Sequence, residues 1–231
     1  MIYVISDLHG YSLDEVKNLL DRVGFCDKDY LFVLGDVIDR GREGIKTLLW
    51  MMEQSNIELI LGNHEAMMLS CEFVIDEVND SFISDFDVRK LSLLRTWQRN
   101  GGESTIRELT MLHDEQRKHL FEYLHDAPLY EALTIGDKDY ILTHSGLEHF
   151  SIDKKLKDYT SSELLWNRPK LTDRYFDDIT VVFGHTPTCV FGEQYKGKIV
   201  KTDTWIDIDV GAANGYKPAL LCLDTMEEFY M

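Results

Sequence analysis

Three short apolar runs, "IYVIS" at 2–6, "YLFVLGD" at 30–36 and "IELILGN" at 57–63, each end in a polar loop and lead into apolar residues at helical spacing. After the first, Ser12 and Glu15 have the spacing of a capping box, Val16, Leu19, Leu20 and Val23 mark one helical face, and Gly24 supplies the stop. After the second, the loop "VIDRG" precedes a helix expected near 42–54, with Ile45, Leu48, Leu49 and Met52 on one side. After the third, the loop is only "HE", and "AMMLSCEFVIDEV" reads as helix. Repeated strand–loop–helix units require a sheet with several parallel neighbours and right-handed crossovers. Ligands in such sheets lie beyond the carboxyl ends of the strands, so all three polar loops fall on one edge.

The rhythm then breaks. Residues 79–115 carry mixed charges, an Asn-Gly-Gly turn and no strand pattern, and are expected to form a largely helical insertion overhanging that edge. "EQRKHLFEYLHDAP" adds a helix stopped by Pro128. Next, "LYEALTI" and "DYILTH" flank a Gly-Asp turn as a hairpin, "DITVVFGHTP" is another strand, and "KIVKTDTWIDIDVG" with "PALLCLD" ends the chain as alternating strands. The second half is therefore expected to be mostly antiparallel or mixed sheet. With no repeat, low-complexity tract or Pro/Gly/Ser linker to mark a boundary, residues 1–231 are expected to be a single α/β domain.

The formal net charge of -17 argues against a surface that grips a polyanion, so nucleic acid is not an expected partner. No run of eighteen apolar residues and no signal-peptide pattern occurs, which implies a cytoplasmic protein without a membrane span. Cys26, Cys71, Cys189 and Cys222 are widely separated, which points to buried free thiols rather than a zinc knuckle or a disulfide framework.

What stops at the strand ends is more specific. The first run yields Asp7 and His9, the second Asp36, Asp39 and Arg40, the third Asn63 and His64, and later runs His144 and His185. Each block contains a glycine, which lets backbone pass close to an ion or a phosphate. Aspartate, asparagine and histidine without cysteine suit manganese, iron or zinc. The donors exceed the needs of one tetrahedral ion, whereas two ions roughly 3.5–4 Å apart and bridged by a carboxylate would use them all. Asp36, at the central strand end, is the natural bridge. His113, His119, His125 and His149 lie outside these blocks and read as ordinary structural histidines.

In that order, "SDLHG", "GDVIDRG", "GNHE", "HSG" and "GHTP" resemble the signature blocks of the phosphoprotein phosphatase (PPP) family of metallophosphoesterases. "WQRNGGEST" and "LLWNRP" resemble bacterial and phage members of the serine/threonine protein phosphatase type. Ser6 in place of the usual glycine and Ser145 in the middle of the HAG block are departures, both small enough to leave the ligands in place.

The resemblance implies a four-layer α/β/β/α sandwich with mixed central sheets. It implies two divalent or trivalent metal ions: manganese in vitro, iron or zinc as alternatives. One ion would be held by Asp7, His9 and Asp36, the other by Asp36, Asn63, His144 and His185. It further implies direct attack on phosphorus by a metal-bridging hydroxide, with Arg40 and Arg168 on the phosphoryl oxygens. His64 would protonate the leaving group and Asp39 would orient its ring; Glu65 would support the loop. From the residues themselves, Trp97 is expected to be simply buried in a helical cap, the alternative being that Trp97 or Arg99 contacts substrate.

The expected substrate is a phosphorylated protein or a small phosphoester. GNHE and an intact GDVIDRG favour phosphoserine and phosphothreonine. The alternative is a dinucleoside polyphosphate of the diadenosine tetraphosphate type, whose hydrolases share the same core. Substrate choice is expected to reside in 79–115 and surface loops, and the sequence sets no oligomeric state.

Overall fold

The computed structural model describes residues 1–75 and 87–231. Its strands are β1 (Ile2–Ile5), β2 (Tyr30–Val33), β3 (Ile57–Leu59), β4 (Tyr130–Ile135), β5 (Lys138–Thr143), β6 (Ile179–Phe183), β7 (Val200–Lys201), β8 (Trp205–Asp207), β9 (Ala219–Cys222) and β10 (Glu228–Tyr230). Its α-helices are α1 (Leu13–Arg22), α2 (Gly44–Met52), α3 (Asn63–Ser70), α4 (Val88–Arg99), α5 (Glu103–Thr110), α6 (Asp114–Asp126) and α7 (Ser161–Leu165).

The strands form two five-stranded mixed sheets, ordered β10-β9-β1-β2-β3 and β4-β5-β6-β8-β7. In the first, β1, β2 and β3 are parallel, as the strand–loop–helix repeat requires, and β9 and β10 add antiparallel partners. β1 is its central strand and β2 sits beside it, so Asp36 follows a neighbour of the centre rather than the centre itself. In the second sheet β5, β6 and β8 run parallel, with β4 and β7 antiparallel at its edges.

Alternation along the strands decides the layering. Tyr3, Ile5, Leu31 and Val33 join Leu19, Leu48, Met68, Trp97, Leu120 and other helix residues in one core. Their neighbours Val4, Phe32 and Leu34 instead meet Tyr140, Leu142, Val182 and Ile206 between the two sheets. Ile141, Val181 and Phe183 turn to the outer face of the second sheet, under Tyr159, Leu164 and Tyr175. The result is helices, sheet, sheet and a thinner cover of short helix and loop. Each fully buried Leu or Ile contributes roughly 1.5–3 kcal/mol.

Local departures from the sequence reading have simple causes. α1 has half a capping box: Ser12 accepts the Glu15 N–H, but the Glu15 carboxylate takes the Tyr11 hydroxyl. α2 has no cap from its own Glu43; Glu108 of α5 accepts the Ile45 N–H at 3.1 Å and the Lys46 N–H at 3.4 Å instead. The third helix starts at Asn63, the last residue of the run read as strand, takes in the "HE" read as a loop, and gives way to a 3-10 turn at Glu72–Ile75. The last residues of that expected helix, 76–78, and the first part of the expected insertion, 79–86, lie outside the described residues. Of the four free thiols, Cys71 and Cys222 are buried, but Cys26 is exposed and Cys189 partly so. Among the described residues no helix is long and apolar enough to cross a membrane.

Candidate active site

The loops after β1 and β2 lie side by side because their backbones bond to each other, and the loop after β3 is tied to them by the Asp36 carboxylate, which accepts the His64 N–H at 3.0 Å. Asp7 N–H donates to Gly35 O at 3.1 Å, His9 N–H to Asp36 O at 2.8 Å and Gly41 N–H to His9 O at 2.9 Å. Asp7, His9, Asp36, Asp39, Arg40 and His185 all have positive φ, between 45° and 70°. That conformation is costly for residues with a Cβ and persists where surrounding contacts enforce it. Glu65 is one enforcer: its buried carboxylate accepts the N–H groups of Asp36, Val37, Ile38 and Gly62 at 2.8–3.3 Å. Gly62 is another, since a Cβ there would overlap the Asp36 backbone nitrogen and carboxylate.

The side chains converge around Asp36. One donor group is His9, Asp36 and His64, the other Asp36, His144 and His185, with ligand-type atoms within 4.8 Å of one another in each. Asp36 Oδ2 lies 3.7 Å from both His9 Nε2 and His64 Nε2, and its Oδ1 lies 3.4 Å from His144 Nε2. Asp7 Oδ1 is 3.9 Å from His9 Nε2, and Asn63 Oδ1 is 2.8 Å from His144 Nε2. The other five expected ligands thus gather around the Asp36 carboxylate. His64 stands with His9 and Asp36 where the sequence reading placed Asp7.

Burial opposes ionisation of Asp36, but the four imidazoles of His144, His64, His9 and His185 outweigh it and hold the carboxyl below its usual range. Burial, reinforced by Asp209 and Asp36, pushes Asp7 well up. Burial also pulls His9 down to about 3 and His185 to about 2, so both rings are neutral and able to act as ligands. Asp7 Oδ1 is buried with no hydrogen-bond partner. Crowded carboxylates, neutral imidazoles and an orphaned carboxylate oxygen fit bound cations, and no thiol joins the set.

His64 is different. Burial would lower it, yet Asp36 and Asp39 raise its pKa to about 8. Its Nδ1 is 2.6 Å from Asp39 Oδ2. Asp39 is fixed in turn from the helices beyond: the Trp97 indole N–H donates to Oδ2 at 2.9 Å and the Thr105 hydroxyl to Oδ1 at 2.6 Å. Trp97 is fully buried and faces Asp39.

Arg40 lies at the rim of the site, Nη1 3.0 Å from His9 Nε2 and Nη2 3.3 Å from His64 Nε2. Arg168 follows α7, with Nη1 donating to His185 O at 3.1 Å. Its segment is tied down by Ser145, whose hydroxyl donates to Leu164 O at 2.8 Å and accepts the Asn167 N–H at 3.0 Å. Ser6 donates its hydroxyl to the Asp7 carboxylate. Both departures from the family blocks therefore support site residues.

Two buried acids, Asp207 and Asp209, escaped the sequence reading. Burial, opposed by the Gly211 N–H and the nearby arginines, leaves Asp209 at about 7, and burial with Asp209 raises Asp207 well above the carboxylate range. Asp209 follows a strand and precedes Gly211 by two residues, the signal that found the others. Outside the site, His125 pairs with Glu72, His149 with Glu163, and His113 and His119 lie exposed on or beside α6.

Residues 1–206 match the family model for calcineurin-like phosphoesterases. The chain belongs to that family. It is therefore a metallophosphoesterase, and its blocks place it with the phosphoprotein phosphatases.

Its relatives carry two kinds of name. The symmetrical bis(5'-nucleosyl)-tetraphosphatase of Buchnera aphidicola subsp. Acyrthosiphon pisum is 28% identical over 166 residues, covering 65% of this chain and 58% of that protein. The chain thus spans less than two thirds of that relative's length. Serine/threonine-protein phosphatase 2 of Salmonella typhimurium is 28% identical over 215 residues, covering 91% of this chain and 87% of that one. Among solved structures, a putative diadenosine tetraphosphatase superposes with TM-score 0.65 at 16% identity, covering 100% of this chain and 92% of that chain. A Saccharomyces cerevisiae serine/threonine phosphatase superposes with TM-score 0.54 at 17% identity, covering 100% and 79%. At these identities the structures establish the fold, α/β with two mixed sheets.

Proposed function

We propose that the protein hydrolyses phosphomonoesters, with phosphoserine and phosphothreonine in proteins as the substrate class. The observation that carries the reading is the placing of Asp36 between two groups of imidazoles, with Arg40 at their rim. Asp7, His9 and Asp36 would hold one metal ion, and Asp36, Asn63, His144 and His185 the other. When bound, the pair supplies water ionised near neutral pH and positive charge for the phosphoryl oxygens.

The chain's own residues do the rest. Arg40, released from His9 and His64, and Arg168 grip the non-bridging oxygens and hold the ester in line. His64, protonated up to about pH 8, gives the proton at its Nε2 to the leaving oxygen, while Asp39 keeps the ring turned by holding Nδ1–H. That division of labour favours His64 as acid over His64 as a ligand in place of Asp7. Trp97 and Thr105 keep Asp39 a fixed acceptor rather than touching substrate.

The near full-length coverage of the Salmonella phosphatase and the intact "GDVIDRG" and "GNHE" blocks favour the phosphoester reading. A dinucleoside polyphosphate is the second reading, favoured by the names of the Buchnera relative and the putative diadenosine tetraphosphatase structure. Side-by-side turnover of a phosphoserine peptide and diadenosine tetraphosphate by the manganese-loaded protein tests the choice. Faster hydrolysis of the peptide is expected, and exclusive cleavage of the dinucleotide would reject it. The reading extends to residues 1–231 acting as one unit, supported by an inter-sheet core that runs from Val4 to Leu223.

A further inference from the structure

Beside the site lies a concavity of about 460 Å³ lined by Arg40, Arg42, Ser104, Arg107, Glu108 and Met111. Its two walls have separate origins. Arg40 and Arg42 come from the loop after β2, and the other four share one face of α5 and its C-terminal residue, at helical spacings of three and four. The walls are fastened together at the α4–α5 turn, where the Arg40 N–H donates to Gly101 O at 3.0 Å, and a Cβ on Gly101 would run into Arg40. The shape is therefore built by packing.

Three guanidinium groups in one recess stand out in a chain of net charge -17. Arg42 and Arg107 are exposed. Among the described residues Arg42 has no ion-pair partner, and Arg107 pairs with exposed Glu103 at 3.5 Å, a surface contact that a stronger anion displaces easily. The acid in the wall, Glu108, is occupied: its Oε2 accepts two N–H groups at the start of α2, and burial raises it to about 7. It offsets at most one of the three guanidinium charges. Arg40 belongs both to this recess and to the rim of the catalytic site, so an anion here would lie beside the phosphoryl group.

Resting on the phosphoesterase reading, we propose that this recess is a specificity subsite for a second anionic group carried by the substrate next to the scissile phosphoryl. Arg42 and Arg107 receive that group by charge-assisted hydrogen bonds. A carboxylate of an acidic phosphopeptide and a further phosphate of a polyphosphate chain present the same chemistry.

The test compares kcat/KM of the full manganese-loaded chain for a phosphoserine peptide flanked by glutamates and for its alanine-flanked counterpart, with diadenosine tetraphosphate as a second arm. One charge-assisted hydrogen bond corresponds to a preference of about tenfold for the acidic peptide, shrinking as salt rises. In the Arg42→Ala/Arg107→Ala double variant the preference should fall below about twofold. A gain confined to the tetraphosphate, lost in the double variant, assigns the subsite to phosphate; a gain with the peptide assigns it to carboxylate. Equal rates for all three substrates in the wild type, or a preference that survives both substitutions, overturns the proposal. If metal-loaded wild type fails even on p-nitrophenyl phosphate, the phosphoesterase reading has failed instead. Calorimetric titration of the two peptides then decides the subsite, and equal affinities reject it.

Discussion

Asp39→Asn isolates the proton-transfer part of the mechanism. Asp39 Oδ2 is the partner of His64 Nδ1 at 2.6 Å, and both residues are buried. A hydrogen bond to a charged group is worth about 1.5–3 kcal/mol, and 1.36 kcal/mol corresponds to one pH unit, so losing the carboxylate lowers the His64 pKa by about one to two units. The sign follows from the role. The acid works while protonated, so wild-type kcat falls as pH rises through about 8. In the variant the same fall begins about one to two units lower. The asparagine amide also presents a donor to Nδ1, favouring the neutral ring with its single proton on Nε2, which is too weak an acid to give that proton to the leaving oxygen.

General acid catalysis is worth typically 10²–10⁴, so phosphoserine turnover at pH 7.5 should fall by about that range. p-Nitrophenyl phosphate, whose leaving group departs readily without a proton, should lose much less. Metal content should not change, because the side-chain partners of Asp39 are His64, Trp97 and Thr105, none of them an expected ligand. The assay is the pH profile of kcat for both substrates, with metal analysis of the same samples. Equal losses on the two substrates, an unmoved basic limb or concurrent metal loss would refute the assignment.

Thr105→Val removes the hydroxyl that donates to Asp39 Oδ1 and accepts its N–H, and should lower phosphoserine kcat by about tenfold with metal content retained; kcat and metal analysis check it. Ser145→Ala frees the segment carrying Arg168, and should raise KM for phosphoserine several-fold more than it lowers kcat, as steady-state kinetics would show. Gly62→Ala drives a Cβ into the Asp36 backbone and carboxylate, and should cost more than about 2 kcal/mol of stability, read as a depressed Tm. A Tm unchanged within error would mean the loops adjust more freely than their packing implies.

The gathering of donors at one sheet edge was legible because each contributing loop repeats one local pattern: an apolar strand, a donor, a nearby glycine. Such a pattern needs no knowledge of distant contacts. Asp209 obeys it but was hidden by "WIDID", where alternating acids suggest a solvent-facing strand. Here Asp207 and Asp209 face inward instead. Trp97 and Thr105 could not be paired with Asp39 from sequence, since the contacts span 58 and 66 residues and depend on where α4 and α5 pack. The α2 cap from Glu108 is hidden for the same reason. Ser12 shows the opposite failure, a local motif half of which is overridden by a nearby hydroxyl. The thiols of Cys26 and Cys189 lie in loops whose exposure no periodicity reports.

The central claim is that Asp36 bridges two cations. Anomalous diffraction from crystals grown with manganese tests it directly. Two peaks about 3.5–4 Å apart are expected, one against Asp7 and His9, the other against Asn63, His144 and His185, with the Asp36 carboxylate between them. A single peak, or a pair that leaves Asp36 uncoordinated, would contradict the account.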